Sequence, residues 1–152
     1  MALITPAYHF GIVVRNIERA QAELSELLGL HWHRAIASDG LRDTPEGVKL
    51  INSRFCYSKE GPPYFELLEQ RPGTIWEKTG LHHIGVWTDD FHAESARFDA
   101  CGCPRASVTI AENGEWRGGC YHTTSDGLHI ELVNIGTSGP RLARYLNGGG
   151  YE

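Results

Sequence analysis

The chain has 152 residues, of which 41% are hydrophobic and 22% are charged, as is typical of a globular protein. Its formal net charge at pH 7 is −5, which argues against binding to nucleic acid and to anionic membranes. No apolar run approaches the roughly 20 residues of a membrane helix, and the N-terminus lacks a secretion signal. We expect one cytoplasmic domain over residues 1–152, with no nucleic-acid or membrane partner.

The first half of the chain begins with a strand followed by a helix. Residues 8–14 alternate between apolar and other positions, which predicts a strand. Apolar residues then recur at helical spacing over 17–28, between a capping Asn16 and a terminating Gly29. Three further strands are predicted after this helix, at about 30–37, 48–58 and 64–68.

The second half repeats this order. Strands are predicted at 82–88, at about 104–112 and 116–124, and at 129–133, with a helix from 91 to 101 after the first strand. Aligning Gly11 with Gly85 places His9 on His83. The pattern therefore predicts two βαβββ modules, at about 7–70 and 81–135, joined by a link at 71–80 and followed by a helix near 139–147 within a C-terminal segment 136–152.

Two segments are predicted to be irregular and to act as lids over a site. The first module has more residues between His9 and Glu66 than the second has between His83 and Glu131. The polar stretch 39–47 would account for the difference as a loop insertion. The link residues 71–76 are the second candidate lid. The glycines at 148–150 are predicted to be disordered.

Four side chains that bind metals are predicted to face away from the helices. Side chains alternate between the faces of a strand, so His9 and His83 point away from the helix that packs on their strand. Each closing strand carries one acid on the same face, Glu66 in the first module and Glu131 in the second. If the two sheets curl into one trough, the four side chains converge.

Two imidazoles and two carboxylates supply nitrogen and oxygen ligands for one divalent ion, such as Zn²⁺, Ni²⁺, Co²⁺, Mn²⁺ or Fe²⁺. A carboxylate within an apolar strand is costly unless it is paired. Its presence at the matching position in both modules favours a shared metal over the alternatives, which are structural histidines and acids that face solvent.

Candidate substrate-binding residues follow from the same alternation. Trp87 shares a face with His83, and Tyr64 shares a face with Glu66. His122 and His129 could also line the trough, although positions in the core or at a sheet edge suit them equally well. His82 falls on the helix-packing face and has no equivalent in the repeat.

The segments YHFGIVV at 8–14, FELLE at 65–69, HHIGVWTDD at 82–90 and SDGLHIELV at 125–133 resemble the vicinal oxygen chelate superfamily. This superfamily includes glyoxalase I, methylmalonyl-CoA epimerase, extradiol dioxygenases and antibiotic-resistance proteins, and the resemblance covers roughly residues 7–135. It implies an α+β fold in which two βαβββ modules form a curved, mostly antiparallel, eight-stranded open barrel with the helices outside. It also implies a homodimer and assigns the metal ligands to the first and last strands of each module, at His9, Glu66, His83 and Glu131.

The resemblance further implies a divalent-metal-dependent enzyme of the lyase or isomerase type. Its substrate would be a small carbonyl, thioester or vicinal-oxygen compound, which loses a proton to give a metal-stabilised enolate. Glu131 is the expected base and Glu66 its counterpart. The ligand set is similar to that of bacterial-type glyoxalase I, whereas methylmalonyl-CoA epimerases commonly have glutamine at the position of Glu66. The alternatives are a ring-cleaving dioxygenase and a metal-free protein that binds a small molecule or antibiotic.

Overall fold

The computed structural model describes residues 3–151, so the ends of the predicted domain, residues 1, 2 and 152, lie outside the described residues. The predicted order of elements, βαβββ twice and then a helix, is confirmed. In chain order the elements are β1 (Leu3–Val14), α1 (Ile17–Leu28), β2 (Ile36–Thr44), β3 (Gly47–Tyr57), β4 (Tyr64–Glu69), β5 (Gly80–Thr88), α2 (Phe91–Ala100), β6 (Arg105–Ile110), β7 (Trp116–Thr123), β8 (His129–Asn134) and α3 (Ile135–Leu146).

The eight strands form one closed barrel in the order β1-β4-β3-β2-β6-β7-β8-β5. The pairs β1–β4 and β5–β8 are parallel, and the remaining pairs are antiparallel. The halves join at two seams, where β1 pairs with β5 and β2 pairs with β6. The predicted α+β class is therefore confirmed, but the barrel is closed rather than open, because the long β2 reaches β6 and completes the second seam.

Helix boundaries follow the capping residues. The side chain of Asn16 accepts a hydrogen bond from the Arg19 backbone N–H at the start of α1, and Gly29, with φ 70°, ends that helix. Asp90 caps α2 in the same way by accepting from the Ala93 N–H. The third helix begins at Ile135, four residues earlier than predicted, because the Asn134 side chain caps it there.

The prediction for residues 30–47 was wrong. The segment 30–37 is mostly irregular, and the polar stretch 39–47 is not a loop: it forms most of β2 and its turn into β3. β2 pairs with β3 from Ile36 opposite Phe55 to Thr44 opposite Gly47, and residues 41–43 also pair with β6, so this part of the strand is paired on both sides. Part of β2 faces a cavity inside the barrel, which removes the apolar alternation by which a strand is recognised.

Three groups of buried side chains pack within the barrel and between the barrel and the helices. Ile17, Cys56 and Leu67 lie between α1 and the first-module sheet, while α2 packs on a group around Val108 and Leu132. The largest group fills much of the barrel interior and includes the residues beneath α3: Tyr8, Val13, Ile51, Phe55, Tyr57, Leu68, Trp76, Tyr121, Val133, Leu142 and Tyr145. All three helices therefore lie outside the barrel.

Two segments that were predicted to be mobile are held by hydrogen bonds. In the link, the Arg71 N–H donates to the Trp76 carbonyl over 3.0 Å, and Trp76 is 2% exposed. In the tail, the Gly149 N–H donates to the Arg144 carbonyl, and the Tyr151 ring packs against the main core group. The prediction of a disordered glycine tail was therefore wrong. Within residues 3–151, no helix is both long and apolar enough to cross a membrane.

Candidate metal centre

His9, Glu66, His83 and Glu131, one each from β1, β4, β5 and β8, meet inside the barrel. The Nε2 atoms of the two histidines lie 2.9 Å apart. Glu66 Oε2 is 3.1 Å from each Nε2 atom. Glu131 Oε2 is 3.0 Å from His9 Nε2 and 3.2 Å from His83 Nε2. The four predicted ligands thus come together within one chain, although their positions in the sequence are far apart.

Two glycines create the space for the imidazole rings. In the antiparallel pairing of β1 and β5, His9 lies opposite Gly85 and Gly11 lies opposite His83. A Cβ atom at Gly85 would overlap the His9 ring, and one at Gly11 would overlap the His83 ring. The internal repeat therefore supplies two related half-sites, each with a glycine in place of a side chain that would displace a ligand.

The carboxylates lie beside the same two glycines. In the parallel pairs, Gly11 is next to Glu66 and Gly85 is next to Glu131. Each glycine is thus flanked by a histidine on one side and a glutamate on the other. A third glycine, Gly119 on β7, leaves room for the Glu131 carboxylate, which a Cβ atom there would overlap.

The buried imidazoles and carboxylates at the centre shift one another's pKa values. Burial alone would lower the pKa of His9, but Glu66 and Glu131 outweigh it and raise that pKa to about 9. The same carboxylates raise the pKa of His83. Burial opposes ionisation of Glu66 and Glu131, yet the imidazoles hold both carboxyl pKa values below their usual range. The two negative charges are therefore neutralised either by protons on the imidazoles or by a cation that replaces them.

The donor set fits a divalent cation. The four ligand atoms lie within 4.8 Å of one another, and neighbouring donors about 3 Å apart can share one ion at nitrogen and oxygen bond lengths of about 2.1 Å. His9 Nδ1 is buried and has no hydrogen-bond partner within residues 3–151, so the polar contacts of this ring are concentrated at Nε2, the atom that faces the other three ligands. Imidazole and carboxylate ligands suit Zn²⁺, Mn²⁺, Fe²⁺, Co²⁺ and Ni²⁺.

His82 orients the ring of His83. Its Nε2 lies 2.7 Å from the Ile75 carbonyl oxygen and its Nδ1 lies 2.9 Å from His83 Nδ1. Burial and the neighbouring His83 lower the pKa of His82 to about 3, so its ring is neutral. Because a carbonyl only accepts, the His82 proton is on Nε2, and His82 Nδ1 accepts from His83 Nδ1–H. The lone pair of a neutral His83 ring is then on Nε2, which faces the other ligands.

The sequence predicted a different environment for His82. It was placed on the face that packs against a helix, but the link covers this end of β5, where Ile75 supplies the carbonyl and the Trp76 ring lies 6.0 Å from the His82 ring. The alternation rule says which face a side chain uses, but it does not say which segment covers that face. The HH pair at 82–83 was the signal available in the sequence.

A cavity of about 300 Å³ opens onto the carboxylates of Glu66 and Glu131. Three buried tyrosines, Tyr8, Tyr57 and Tyr121, line it together with the partly buried Tyr151. Burial, followed by the charges of the two glutamates, raises the pKa of each tyrosine well above its usual value. All three hydroxyl groups therefore stay protonated and can donate hydrogen bonds to a ligand next to the centre.

Trp87 and Tyr64, which were predicted to bind substrate, do not line this cavity and instead contact tyrosines that do. The Trp87 ring stacks on Tyr8 with a centroid distance of 3.8 Å, so it supports a lining residue. Tyr64 borders a separate surface pocket and contacts Tyr57 edge to face. Two other aromatic side chains, Trp76 and Tyr121, line the cavity, while Trp32 packs against the α1 group and Trp116 against the α2 group.

The expectation that His122 lines the trough is not met. Its ring is fully buried on the opposite side of the sheet, against Phe98 of α2, and hydrogen-bonded to Ser95 Oγ and to the Cys103 carbonyl. His129 is closer to the centre, with its ring 4.5 Å from the His82 ring and its Nδ1 3.0 Å from Thr123 Oγ1. It contacts the residue that orients His83 but does not line the cavity.

Three arginines that sequence reasoning missed also line the cavity: Arg42 from β2, Arg117 from β7 and Arg141 from α3. They are far apart in the chain, and no local cluster of basic residues marks them. Arg42 falls within the stretch that was predicted to be a loop, so its direction could not be read from strand alternation.

Comparisons with known proteins agree with this architecture. Residues 8–124 match the Glyoxalase/Bleomycin resistance protein/Dioxygenase superfamily, a range that contains His9, Glu66 and His83. A comparison with curated proteins gives no match. Among solved structures, methylmalonyl-CoA epimerase from Streptomyces coelicolor, in complex with 2-nitronate-propionyl-CoA, is similar with a TM-score of 0.60 and 19% identity, over 86% of this chain and 94% of that one.

Two other solved structures give nearly the same result. Methylmalonyl-CoA epimerase from Mycobacterium tuberculosis has a TM-score of 0.59 and 16% identity, over 88% of this chain and 89% of that one. A hypothetical protein from Bacillus halodurans C-125 has a TM-score of 0.58 and 18% identity, over 85% of this chain and 93% of that one. At such identities the likeness shows the fold, whereas the superfamily match covers most of the chain. The chain therefore belongs to the glyoxalase/bleomycin resistance protein/dioxygenase superfamily.

Proposed function

We propose that this protein is a divalent-metal-dependent enzyme that removes a proton from the carbon next to a carbonyl group, as a glyoxalase-type lyase or an epimerase. The observation that carries this proposal is the meeting of His9, Glu66, His83 and Glu131 within 4.8 Å at the edge of a cavity. Burying two carboxylates costs solvation energy unless positive charge balances them, and a shared cation would supply that charge.

The ion, when bound by these four residues, supplies Lewis-acid polarisation of the substrate carbonyl. The rest of the chemistry falls to side chains of the cavity. Glu131 accepts the proton as the C–H bond breaks, and the electron pair moves toward the carbonyl oxygen. Protonated hydroxyl groups such as that of Tyr121 are available as hydrogen-bond donors to the developing charge.

Glu66 lies across the centre from Glu131 and is the proposed counterpart. A proton returned from Glu66 to the opposite face of the carbon would invert its configuration, which is the outcome of an epimerase. A proton returned by Glu131 to the former carbonyl carbon, with the hydroxyl proton of an α-hydroxycarbonyl substrate passing between its two oxygens, would isomerise the substrate, which is the net change made by a glyoxalase-type lyase. In either case the protein needs a carboxylate that both binds the ion and exchanges a proton.

The test begins with the metal content of the protein after purification without chelators. The metal-loaded protein is then incubated in D₂O with methylmalonyl-CoA and with the glutathione adduct of methylglyoxal, and deuterium in the substrate and product is measured by mass spectrometry. We expect about one divalent ion per chain and deuterium incorporation that stops when the ion is chelated. A matched control is the His92→Asn variant, which changes an exposed histidine of α2 and leaves all four ligands in place.

Two results would contradict the proposal. Oxygen uptake without deuterium incorporation would indicate the dioxygenase alternative. The absence both of bound metal and of deuterium exchange would indicate a binding protein. A homodimer also stays a prediction, for which analytical ultracentrifugation is the measurement.

A further inference from the structure

The cavity next to the metal centre is also lined by positively charged side chains. Arg42, Arg117 and Arg141 line it together with a single carboxylate besides Glu66 and Glu131, that of Asp39. A divalent ion at the centre would balance the two glutamates, so the wall of the loaded cavity would keep an excess of positive charge. Positive charge around a small cavity attracts anionic ligands.

Arg42 is held in place by aromatic rings rather than by an acid. Its Cζ lies 4.5 Å from the centroid of the Trp76 ring and 5.7 Å from that of the Tyr121 ring. Its Nη1 is 3.5 Å from Ser107 Oγ, the limit of a hydrogen bond. Stacking uses the face of the guanidinium group and leaves N–H donors at its edge for a ligand.

Four arginines outside the cavity are paired with acids. Arg54, Arg71, Arg97 and Arg105 each form an ion pair with a glutamate or aspartate. Within residues 3–151, none of the three arginines that line the cavity forms such a pair, and Arg141 donates instead to the Tyr151 carbonyl. A guanidinium group that lines a cavity and is not paired with a carboxylate of the protein is well suited to bind a carboxylate of a ligand.

We propose that Arg42, with Arg117 and Arg141, binds the anionic end of the substrate. The substrate class is then a small carbonyl compound that carries a carboxylate or phosphate group. Its assignment as the substrate, rather than as a ligand only, rests on the function proposed above. Tyr121 separates the two ends, because its ring lies 5.1 Å from the His83 ring and also contacts Arg42. A volume of about 300 Å³ limits the enclosed part of the substrate to a small molecule or acyl group.

The test uses the protein with the metal content that it has after purification without chelators, and the uncharged amide and the Arg42 variants separate binding at the arginines from binding at the metal centre. Isothermal titration calorimetry is carried out with 4-oxopentanoate, with its uncharged N-methylamide, and with inorganic phosphate. The carboxylate and phosphate arms distinguish the two sources of anionic charge. We expect at least one anion to bind at millimolar concentration and the amide to bind at least about tenfold more weakly.

Variants locate the anion. Arg42→Met keeps an apolar stem against Trp76 and removes the charge, and we expect it to weaken anion binding about tenfold or more. Arg42→Lys, which keeps the charge but loses the planar fork, should fall between this variant and the wild type. Arg19→Met, on the exposed surface of α1, changes the net charge equally and should bind like the wild type. Thermal unfolding and Zn²⁺ binding by each variant verify that the barrel is intact.

The proposal is overturned if no anion binds, if the amide binds as tightly as the carboxylate, or if Arg42→Met retains wild-type affinity. These results are independent of the proposed enzyme function. Failure of the wild type to bind metal or to exchange deuterium would contradict that function, whereas the calorimetry on the wild type and the Arg42 variants would still report whether the arginines bind an anion.

Discussion

Gly11 lies directly opposite His83 in the pairing of β1 with β5, and the imidazole ring of His83 occupies the space that a side chain at position 11 would take. Gly85 and His9 have the same relationship on the other side of the centre. The ligands therefore depend on residues that bind nothing themselves. Glycine is needed at both positions for close approach across a strand pair, not for an unusual backbone angle.

The first prediction concerns these glycines. Gly11→Ala and Gly85→Ala should each displace the histidine ring opposite, lower the free energy of unfolding by about 1–3 kcal/mol through overpacking, and weaken metal binding. Thermal unfolding and a Zn²⁺ titration measure the two effects. Gly40→Ala is the control, because the nearest atom to its new Cβ would be Thr109 Cγ2 at 3.7 Å. Wild-type metal affinity in both test variants would contradict the steric role.

The second prediction concerns the His82–His83 contact. His82→Leu removes the acceptor of His83 Nδ1–H and should weaken Zn²⁺ binding by about 10–100-fold. His82→Asn places an amide oxygen close to the former Nδ1 and should recover much of that loss. Competition with a chromophoric chelator measures the affinities, and ¹⁵N NMR of the His83 ring reports which nitrogen carries the proton. Equal affinities for the two variants would exclude an orienting hydrogen bond.

The third prediction separates proton transfer from metal binding. Glu66→Gln and Glu131→Gln each keep an oxygen ligand but lose the ability to accept a proton. We expect deuterium exchange per bound ion to fall by about 10²–10⁴-fold in the variant that replaces the base, assigned to Glu131, and to fall also for Glu66. Rates are divided by metal content measured on the same samples. If both variants exchange deuterium at the wild-type rate, neither glutamate carries the proton.

The fourth prediction concerns the cysteines, which form no disulfide. Burial raises the pKa of the Cys56 and Cys120 thiols to about 11, whereas Cys101 is exposed. At pH 8 a thiol of that pKa is only about 0.1% thiolate, the form that reacts, and this fraction rises with pH. Iodoacetamide at pH 8 should therefore modify Cys101 well before Cys56 or Cys120, as followed by peptide mass spectrometry. Reaction of all three in urea is the control, and equal rates in the native protein would contradict the burial of the two thiols.

Much of the candidate metal centre could be predicted because the positions of its four residues depend on local rules. The period of two along a strand fixes the face of His9 and Glu66, and the repeat carries both assignments to His83 and Glu131. The capping residues Asn16 and Asp90 likewise marked the starts of two helices. Each of these inferences needs a few neighbouring residues and one geometric rule.

The features that were missed depend on contacts between distant segments. β2 has a polar sequence because part of it faces the cavity, so its pattern is that of a loop although its backbone pairs with β3 along its length and with β6 at residues 41–43. Arg42 is positioned by Trp76 from the link and by Tyr121 from β7, and His82 is covered by the link as well. Trp87 has the predicted face, but Tyr8 lies against it and separates it from the cavity. None of these contacts has a signature in a single sequence.

Each repeat of the chain donates one imidazole and one carboxylate, so neither repeat offers a complete coordination sphere. An ion held at the centre would be bonded to β1 and β4 of one repeat and to β5 and β8 of the other, and would act as a crosslink across the seam where β1 meets β5. Occupancy by metal and cohesion of the two halves would then be thermodynamically coupled, so that stripping the ion loosens the seam and separating the halves releases the ion.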